Sequence, residues 1–203
     1  LHMVQQWQNL PSTHPWFSYR DDLEKTTYAI NSYLAHMETC FGQSSDYFHL
    51  RGQDNQLRHI SCKNVVIRIH QDDSLFETLA RIAAAVIAGC APTVSIPSGL
   101  ANHVTIFLES HRRCPLLESL AFILEQDEEL ILRMTSMDRL RYAGVDRVPL
   151  TIFRAAAEKG LTISRHPVYM EGRLELLHYL RQQTVCNNYH RYGNLGERDL
   201  AKQ

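Results

Sequence analysis

The most regular hydrophobic patterning in the chain lies at residues 65–98, VVIRIHQDDSLFETLARIAAAVIAGCAPTVSIPS. An apolar, β-branched run at Val65, Val66, Ile67 and Ile69 predicts a buried strand. Ser74 with Glu77 three residues on makes a capping box, and Leu75, Phe76, Leu79, Ile82, Ala83, Val86 and Ile87 then fall on one helical face. Gly89 stops this helix, because a residue without Cβ takes the left-handed cap freely. Thr93 to Ile96 repeats the strand pattern, and Pro97 closes it. Strand, helix and strand in this order predict a parallel pair joined by a right-handed crossover.

On either side the patterning is less even. Residues 4–20 have no period and read as an irregular lead-in. A helix is predicted from Asp21 to about Phe41, with Ile30, Leu34, Met37 and Phe41 on one stripe and Gly42 ending it. Gly52 to Asn55 reads as a polar loop. Beyond the central unit, Val104 to Leu108 predicts a third strand. Cys114-Pro115 predicts the start of a helix carried by Leu117, Leu120, Ala121 and Leu124, since proline suits the first helical position. Asp127 caps a short helical piece to Met134, Arg139 to Tyr142 is a strand, and Gly144 begins a turn. Pro149 to Lys159 is a helix stopped by Gly160, and Leu161 to Ser164 is a strand. Gly172 to Gln183 reads as the last helix, with Leu174, Leu177 and Leu180 inward. Thr184 to Arg191 reads as extended, and the tail from Gly193 is polar.

Alternating strands and helices predict the α/β class. The expected fold is a Rossmann-like, doubly wound, mostly parallel sheet with helices on both faces, an N-terminal helical and irregular lead-in and an extended C-terminal tail. The chain divides into an N-terminal helix and polar loop (1–60), a Rossmann-like core (61–185) and a tail (186–203), together one compact domain. At 203 residues it can bury about 70% of its extended surface, so neither disulfide nor metal is needed for stability. Twenty-one basic against 22 acidic residues leave no global field to collect nucleic acid or an anionic membrane. Five cysteines at irregular spacing suit a reducing cytoplasm better than a disulfide framework. No apolar run nears the roughly 18 residues of a membrane span, so the expectation is a soluble, cytoplasmic chain.

Candidate chemistry is sparse. The turn before Ser74, His70-Gln71-Asp72-Asp73, puts two carboxylates where a nucleotide-binding crossover exposes glycine-rich backbone to phosphate. They stabilise the helix and repel a phosphate. His59 with Cys62 and His111 with Cys114 have the composition of a tetrahedral zinc site, but eleven histidines make such pairs easy, and surface histidines with core cysteines are the preferred reading. The segment Asn187-Asn188-Tyr189-His190-Arg191-Tyr192-Gly193-Asn194 interleaves basic, amide and aromatic groups. Such residues stack nucleic-acid bases or anchor protein interfaces, and on a neutral chain the interface is preferred.

Several segments resemble the aldehyde dehydrogenase superfamily. AAAVIAGCAPTVSIPS (83–98) is similar to its segment in which an Ala-rich helix ends in Ala-Gly-Asn/Cys and the next strand ends in Lys-Pro-Ser-Glu. In that family the lysine reaches the cofactor's adenosine ribose; here that position is Ile96. MDRLRYAGVDRVPLTIFRAAAEKGLTISRHP (137–167) resembles the stretch in which Gly-Ser and a helix start hold the pyrophosphate, and a strand-end glutamate is the general base. Gly144 is kept, but Val145 replaces the serine, Pro149 removes an amide donor, and Ser164 stands at the glutamate position. The nearest match to the family's nucleophile motif, Gln183-Thr184-Val185-Cys186, lacks its glycine and lies too near the end for a catalytic domain to surround it. The resemblance therefore implies no catalytic residue and no cofactor-binding residue in this chain, and no metal is called for.

Two further segments resemble the proline utilization A family, which joins FAD-dependent proline dehydrogenase to NAD-dependent L-glutamate-γ-semialdehyde dehydrogenase. LRGQDNQLRH (50–59) is similar to the stretch after its aldehyde dehydrogenase module, with His59 where the family has Tyr. EGRLELLHYLRQQTVCNNYHRYGNLGER (171–198) resembles its extreme C-terminus, with a Glu-Leu-Leu-His-Tyr-Leu-Arg helix and a Tyr-His-Arg-Tyr-Gly-Asn segment. The longer members carry a C-terminal domain that is a degenerate aldehyde dehydrogenase cofactor domain. It packs on the dehydrogenase module and helps cover the passage between active sites. The resemblance thus implies a noncatalytic domain whose partner is the aldehyde dehydrogenase module of the same polypeptide. Gln53, Asp54 and Asn55, with Tyr189, His190, Arg191 and Tyr192, are the expected interdomain contacts, and the isolated domain could self-associate. A free-standing α/β protein binding a dinucleotide or a small acid is the alternative.

Overall fold

The computed structural model describes residues 12–14, 16–191 and 194–195, with side chains as far as Tyr189. Five parallel strands form the core sheet: β2 (Val65–Arg68), β3 (Thr93–Pro97), β4 (Ala121–Glu125), β5 (Arg139–Arg141) and β6 (Thr162–Ser164), in the order β4-β3-β2-β5-β6. The strand order reverses at β2, so the crossovers before and after the reversal cover opposite faces and the sheet is doubly wound. The side chains of β2 show it directly. Val65, Ile67 and Ile69 enter one core cluster with Leu79, Ile82 and Phe107, while Val66 enters the other with Leu130, Leu140 and Ile152. Alternate residues of a strand point to opposite faces, so the consecutive apolar Val65, Val66 and Ile67 serve a sheet buried on both sides, and the strand's polar residue, Arg68, is buried with its guanidinium paired.

The helix after β2, α2 (Leu75–Ile87), begins with the expected capping box: Glu77 N–H donates to Ser74 Oγ at 3.0 Å, and Ser74 N–H to Glu77 Oε2 at 2.8 Å. It ends at Gly89, whose φ of +79° favours glycine. Preceding the sheet, α1 (Arg20–His36) continues into a wider turn at Met37–Phe41 and packs along α2. On the opposite face lie α4 (Asp127–Arg133) and α5 (Leu150–Glu158).

Four expectations are corrected. Val104–Leu108 is not a strand but the body of α3 (His103–Ser110). Asn102 and Thr105 cap it reciprocally, and Val104, Phe107 and Leu108 face the core at helical spacing while Ile106 faces solvent. Cys114-Pro115 opens consecutive turns rather than a helix, and Ala121–Leu124 belongs to β4, paired with β3 along its whole length. The helix expected at Gly172–Gln183 is one turn, α6 (Gly172–Glu175), and a 3-10 turn to His178, after which the chain extends as β7 (Leu180–Asn188). Gly52–Asn55 is not a loop: Gln53 opens β1 (Gln53–Ser61), which pairs antiparallel with β7 through nine residue pairs, from Gln53↔Asn188 to Ser61↔Leu180.

A buried ion pair fastens the C-terminal segment to the sheet. Arg141, at the end of β5, donates from Nη2 to both carboxylate oxygens of Glu175 at 3.0 and 3.1 Å, and neither side chain is exposed. Tyr179 Oη donates to Glu175 Oε1 at 2.9 Å, and Tyr169 N–H to Oε2 at 3.0 Å, so the carboxylate is saturated. Removing one member of such a pair leaves an uncompensated buried charge. Glu175→Ala is expected to lower the unfolding free energy by about 3–5 kcal/mol, against less than about 0.5 kcal/mol for Lys25→Ala on the exposed face of α1. Urea unfolding of both variants checks this, and equal losses would refute it.

Candidate functional site

In a doubly wound sheet the ligand crevice opens at the carboxyl ends of the strands where their order reverses. Here that point lies between β2 and β5, where a cavity of about 190 Å³ is lined by Arg68, His70, Pro97, Asp127, Tyr142 and Arg147 among others. The chain's own side chains fill much of the crevice. Arg68 donates from Nη1 to Ser95 Oγ (2.9 Å) and the Glu125 carbonyl (3.0 Å), and from Nη2 to Asp127 (2.8 Å). Arg147 Nη1 reaches Asp73 Oδ1 at 2.7 Å and Glu77 Oε2 at 2.8 Å, and Arg81 holds the other oxygen of Asp73 at 2.5 Å. Burial works against the Arg147 charge, yet the carboxylates of Glu77 and Asp73 hold its pKa above the usual guanidinium value.

The start of α2 is occupied as well. Besides the capping box, Phe76 N–H donates to Asp22 Oδ2 at 3.2 Å. Three amides that a phosphate would use are thus bound to the chain's own oxygens. The two carboxylates read from the sequence separate: Asp73 is buried among arginines, whereas Asp72 is exposed beside His70. Tyr142 Oη lies beside the Arg68 guanidinium without a hydrogen bond of good geometry, and burial pushes its phenol above the usual range.

Of the positions that the resemblance ties to cofactor and catalysis, Ile96 is packed into the core and Val145 stands exposed on a 3-10 turn. Ser164 is buried at the end of β6, 2.6 Å from Nδ1 of His178. A serine hydroxyl beside an imidazole has the composition of a nucleophile and base, but His178 Nε2 is buried without a partner, so no carboxylate orients the ring. Neither residue lines the crevice.

The zinc candidates stay apart. His59 sets its ring edge-on to Phe41 at 4.8 Å, and His111 stacks on Phe107 at 4.1 Å. Cys62 lies in the core. Among the described residues no three His, Cys, Asp or Glu side chains gather as metal ligands. Cys186 is exposed on β7, its Sγ 2.7 Å from Gln53 Nε2.

The two stretches expected to contact a neighbouring module come together at one end of the β1–β7 ribbon. Gln53, Asp54 and Asn55 stand opposite Asn188, Asn187 and Cys186, and Tyr189 N–H donates to the Gly52 carbonyl at 3.0 Å. His190 and Arg191 continue as a two-residue strand paired with Asn194–Leu195, and Tyr192 lies outside the described residues. Beside this end, Asp46 accepts N–H groups of Phe48, His49 and Asn55 at 2.9–3.0 Å, which hold its pKa below the usual carboxylate range. The turn it organises exposes Tyr47, Phe48 and Leu50. Nearly all of β7 is exposed, and a two-stranded ribbon is at best marginally stable alone in water.

Sequence reading missed the pairing of β1 with β7 because Gln53–Ser61 is mostly polar and shows no alternation. It also missed the buried arginines. An Arg and an Asp one or two turns apart, as in Asp73 and Arg81, mark a surface helix equally well.

His178 titrates abnormally. Burial, then the electrostatic influence of Arg141, His166 and Arg139, lower its pKa from 6.5 to about 3. Between those values the unfolded chain binds a proton that the folded chain does not, so this contribution is complete above pH 6.5 and is lost as pH falls towards 3. Unfolding free energy is expected to fall between pH 6 and 4 with a His178 contribution of up to about 1.4 kcal/mol per pH unit. Denaturant titrations across that range should show a shallower slope for His178→Gln, and an unchanged slope would refute the assignment.

No protein-family model matches the chain, and no curated protein matches it significantly. Solved structures do. Proline utilization A from Corynebacterium freiburgense superposes with a TM-score of 0.54 at 24% identity, covering 91% of this chain and 16% of that one. A mutant proline utilization A from Bradyrhizobium japonicum gives 0.60 at 15%, covering 80% and 18%. Betaine aldehyde dehydrogenase from Staphylococcus aureus, a double mutant in complex with NAD+, gives 0.55 at 16%, covering 79% and 33%. The chain therefore spans less than a fifth of the proline utilization A chains and a third of the betaine aldehyde dehydrogenase chain. At these identities the likeness is one of fold: a Rossmann-like α/β architecture shared with parts of proline utilization A and of aldehyde dehydrogenases.

Proposed function

We propose that this chain is a noncatalytic domain of a bifunctional proline-catabolic enzyme, which docks on the aldehyde dehydrogenase module and covers the passage between the two active sites. The observation that carries this reading is the contrast between crevice and ribbon. Ion pairs among Arg68, Asp127, Arg147, Asp73 and Glu77 occupy the place where a cofactor would lie. The ribbon meanwhile projects an exposed strand, with aromatic side chains beside its end. Val145, Leu150 and Phe153, exposed around the start of α5, add a second apolar face of the kind that subunit contacts bury. Covering the passage keeps a reactive aldehyde intermediate from bulk water and its local concentration high for the second site.

The test is proline-to-glutamate turnover by the two catalytic modules without this domain, before and after adding the 203-residue chain in trans. A shorter lag before NADH appears is expected. No change in lag, with no complex on sedimentation, would refute the reading. Replacing Tyr189 and Tyr192 together by Ala is expected to weaken docking about tenfold or more, as for aromatic anchors, and unchanged docking would remove the ribbon end from the contact.

One observation favours the alternative, a free-standing α/β protein that binds a dinucleotide or a small acid. The buried Tyr142 hydroxyl lacks a hydrogen-bond partner and lines the crevice, where a ligand oxygen could satisfy it. Saturable binding of NAD by calorimetry would establish that reading over the docking domain.

A further inference from the structure

Two of the five cysteines, distant in sequence, meet at the root of the ribbon. Cys62 lies between β1 and β2, and Cys90 between α2 and β3. Continuing the parallel register backwards from Val66↔Thr93 brings Lys63 beside Cys90, and the hydrogen bonds there agree. Ala91 N–H donates to the Lys63 carbonyl at 3.2 Å, and Ser61 Oγ donates to the Ala88 carbonyl. Cys62 and Cys90 are therefore diagonal neighbours across a strand spacing of about 4.8 Å, within the Cα separation of about 4.4–6.8 Å that a disulfide spans. Both also converge on one oxygen, the Tyr179 carbonyl: Cys62 N–H at 2.8 Å and Cys90 Sγ at 3.5 Å. Cys62 belongs to the main core cluster and Cys90 packs against it, and both are free thiols.

We propose that Cys62 and Cys90 form a reversible disulfide, made by exchange with a low-molecular-weight disulfide such as oxidised glutathione, which clamps the root of the ribbon to the sheet. The guanidinium of Arg181 lies beside the Cys62 thiol, whereas burial pushes the Cys90 thiol up to about 12. Cys62 is thus the entering nucleophile. Its thiolate attacks one sulfur of the small disulfide, a protein–glutathione bond forms, and one glutathione thiolate leaves. Cys90 then attacks Cys62 Sγ, its proton passes to the second departing glutathione, and the protein disulfide closes. The protein loses two hydrogens, and one oxidised glutathione becomes two reduced molecules. Since Cys62 is 1% exposed, the first step requires residues 61–63 to open from the sheet, so oxidation reports on the ribbon's mobility. The clamp holds that stretch against the turn after Gly89, beside the Tyr179 carbonyl from which β7 departs. The proposal stands whether or not the ribbon docks on an enzyme module.

The test equilibrates the whole 203-residue chain with oxidised and reduced glutathione at ratios from reducing to oxidising. Free thiols are then trapped by alkylation in denaturant, and intact mass and linked peptides are measured. The expected result is a species two hydrogens lighter with a Cys62–Cys90 linked peptide, reversed by reduced glutathione, and an unfolding midpoint several degrees above that of the reduced chain. Cys90→Ser should stop at a glutathione adduct on Cys62, while Cys114→Ser should close the bond as the native chain does. Two results would overturn the proposal: adducts on the exposed Cys40 and Cys186 alone, or Cys62 and Cys90 both still open to alkylation at the most oxidising ratio. The wild-type chain decides the matter by itself, so a variant that fails to fold leaves the test intact.

Discussion

The Arg141–Glu175 pair is the contact on which the rest of this architecture depends. A guanidinium and a carboxylate that are both fully buried cost several kcal/mol to desolvate, and only saturation by further hydrogen bonds makes the arrangement tolerable. Here the partners are spread over the fold. Arg141 ends β5, Glu175 lies on the single turn of α6, and Tyr169 and Tyr179 flank that turn. Because all four groups must be in place together, the pair fixes where the chain leaves the sheet and in which direction β7 departs. The ribbon's position is thus set by electrostatics inside the core more than by its own pairing.

A second network acts at the switch point of the sheet. Arg81, Arg147 and Asp73 knit α2 to the turn after β5, and Arg68 with Asp127 ties β2 to α4. Doubly wound folds that bind nucleotides leave this place to glycine and bare backbone, so that phosphates meet amide groups and the positive end of a helix dipole. In this chain charged side chains satisfy one another there. That place is an internal joint, and exposed polar and aromatic surface lies at the ribbon.

How much was legible follows from how local each signal is. Residues 65–98 folded as read, because each step there is decided within a few residues: a β-branched run, a reciprocal cap at Ser74 and Glu77, and a glycine at positive φ. Val104–Leu108 misled because β-branched and aromatic residues favour strands on average, whereas Asn102 and Thr105 make a cap and Phe107 and Leu108 keep the helical spacing. The Leu174–Leu180 spacing misled in the opposite sense. Its leucines suit a helix, but Glu175 is pulled to Arg141 and Leu180 to the core, and the chain extends from Leu180 after one 3-10 turn.

The amino-acid sequence alone determined the class of the fold, because the alternation of strands and helices rests on residue type and short-range order. Only the tertiary structure decided that Gln53–Asn55 and Tyr189 form one end of one ribbon. It alone decided that three arginines are buried at the carboxyl ends of the sheet, and that Cys62 and Cys90 are neighbours. Each of these joins residues far apart in the chain through hydrogen bonds or charge pairs. Such contacts leave no periodicity behind, since their energy depends on which distant group arrives and on how completely water is excluded when it does.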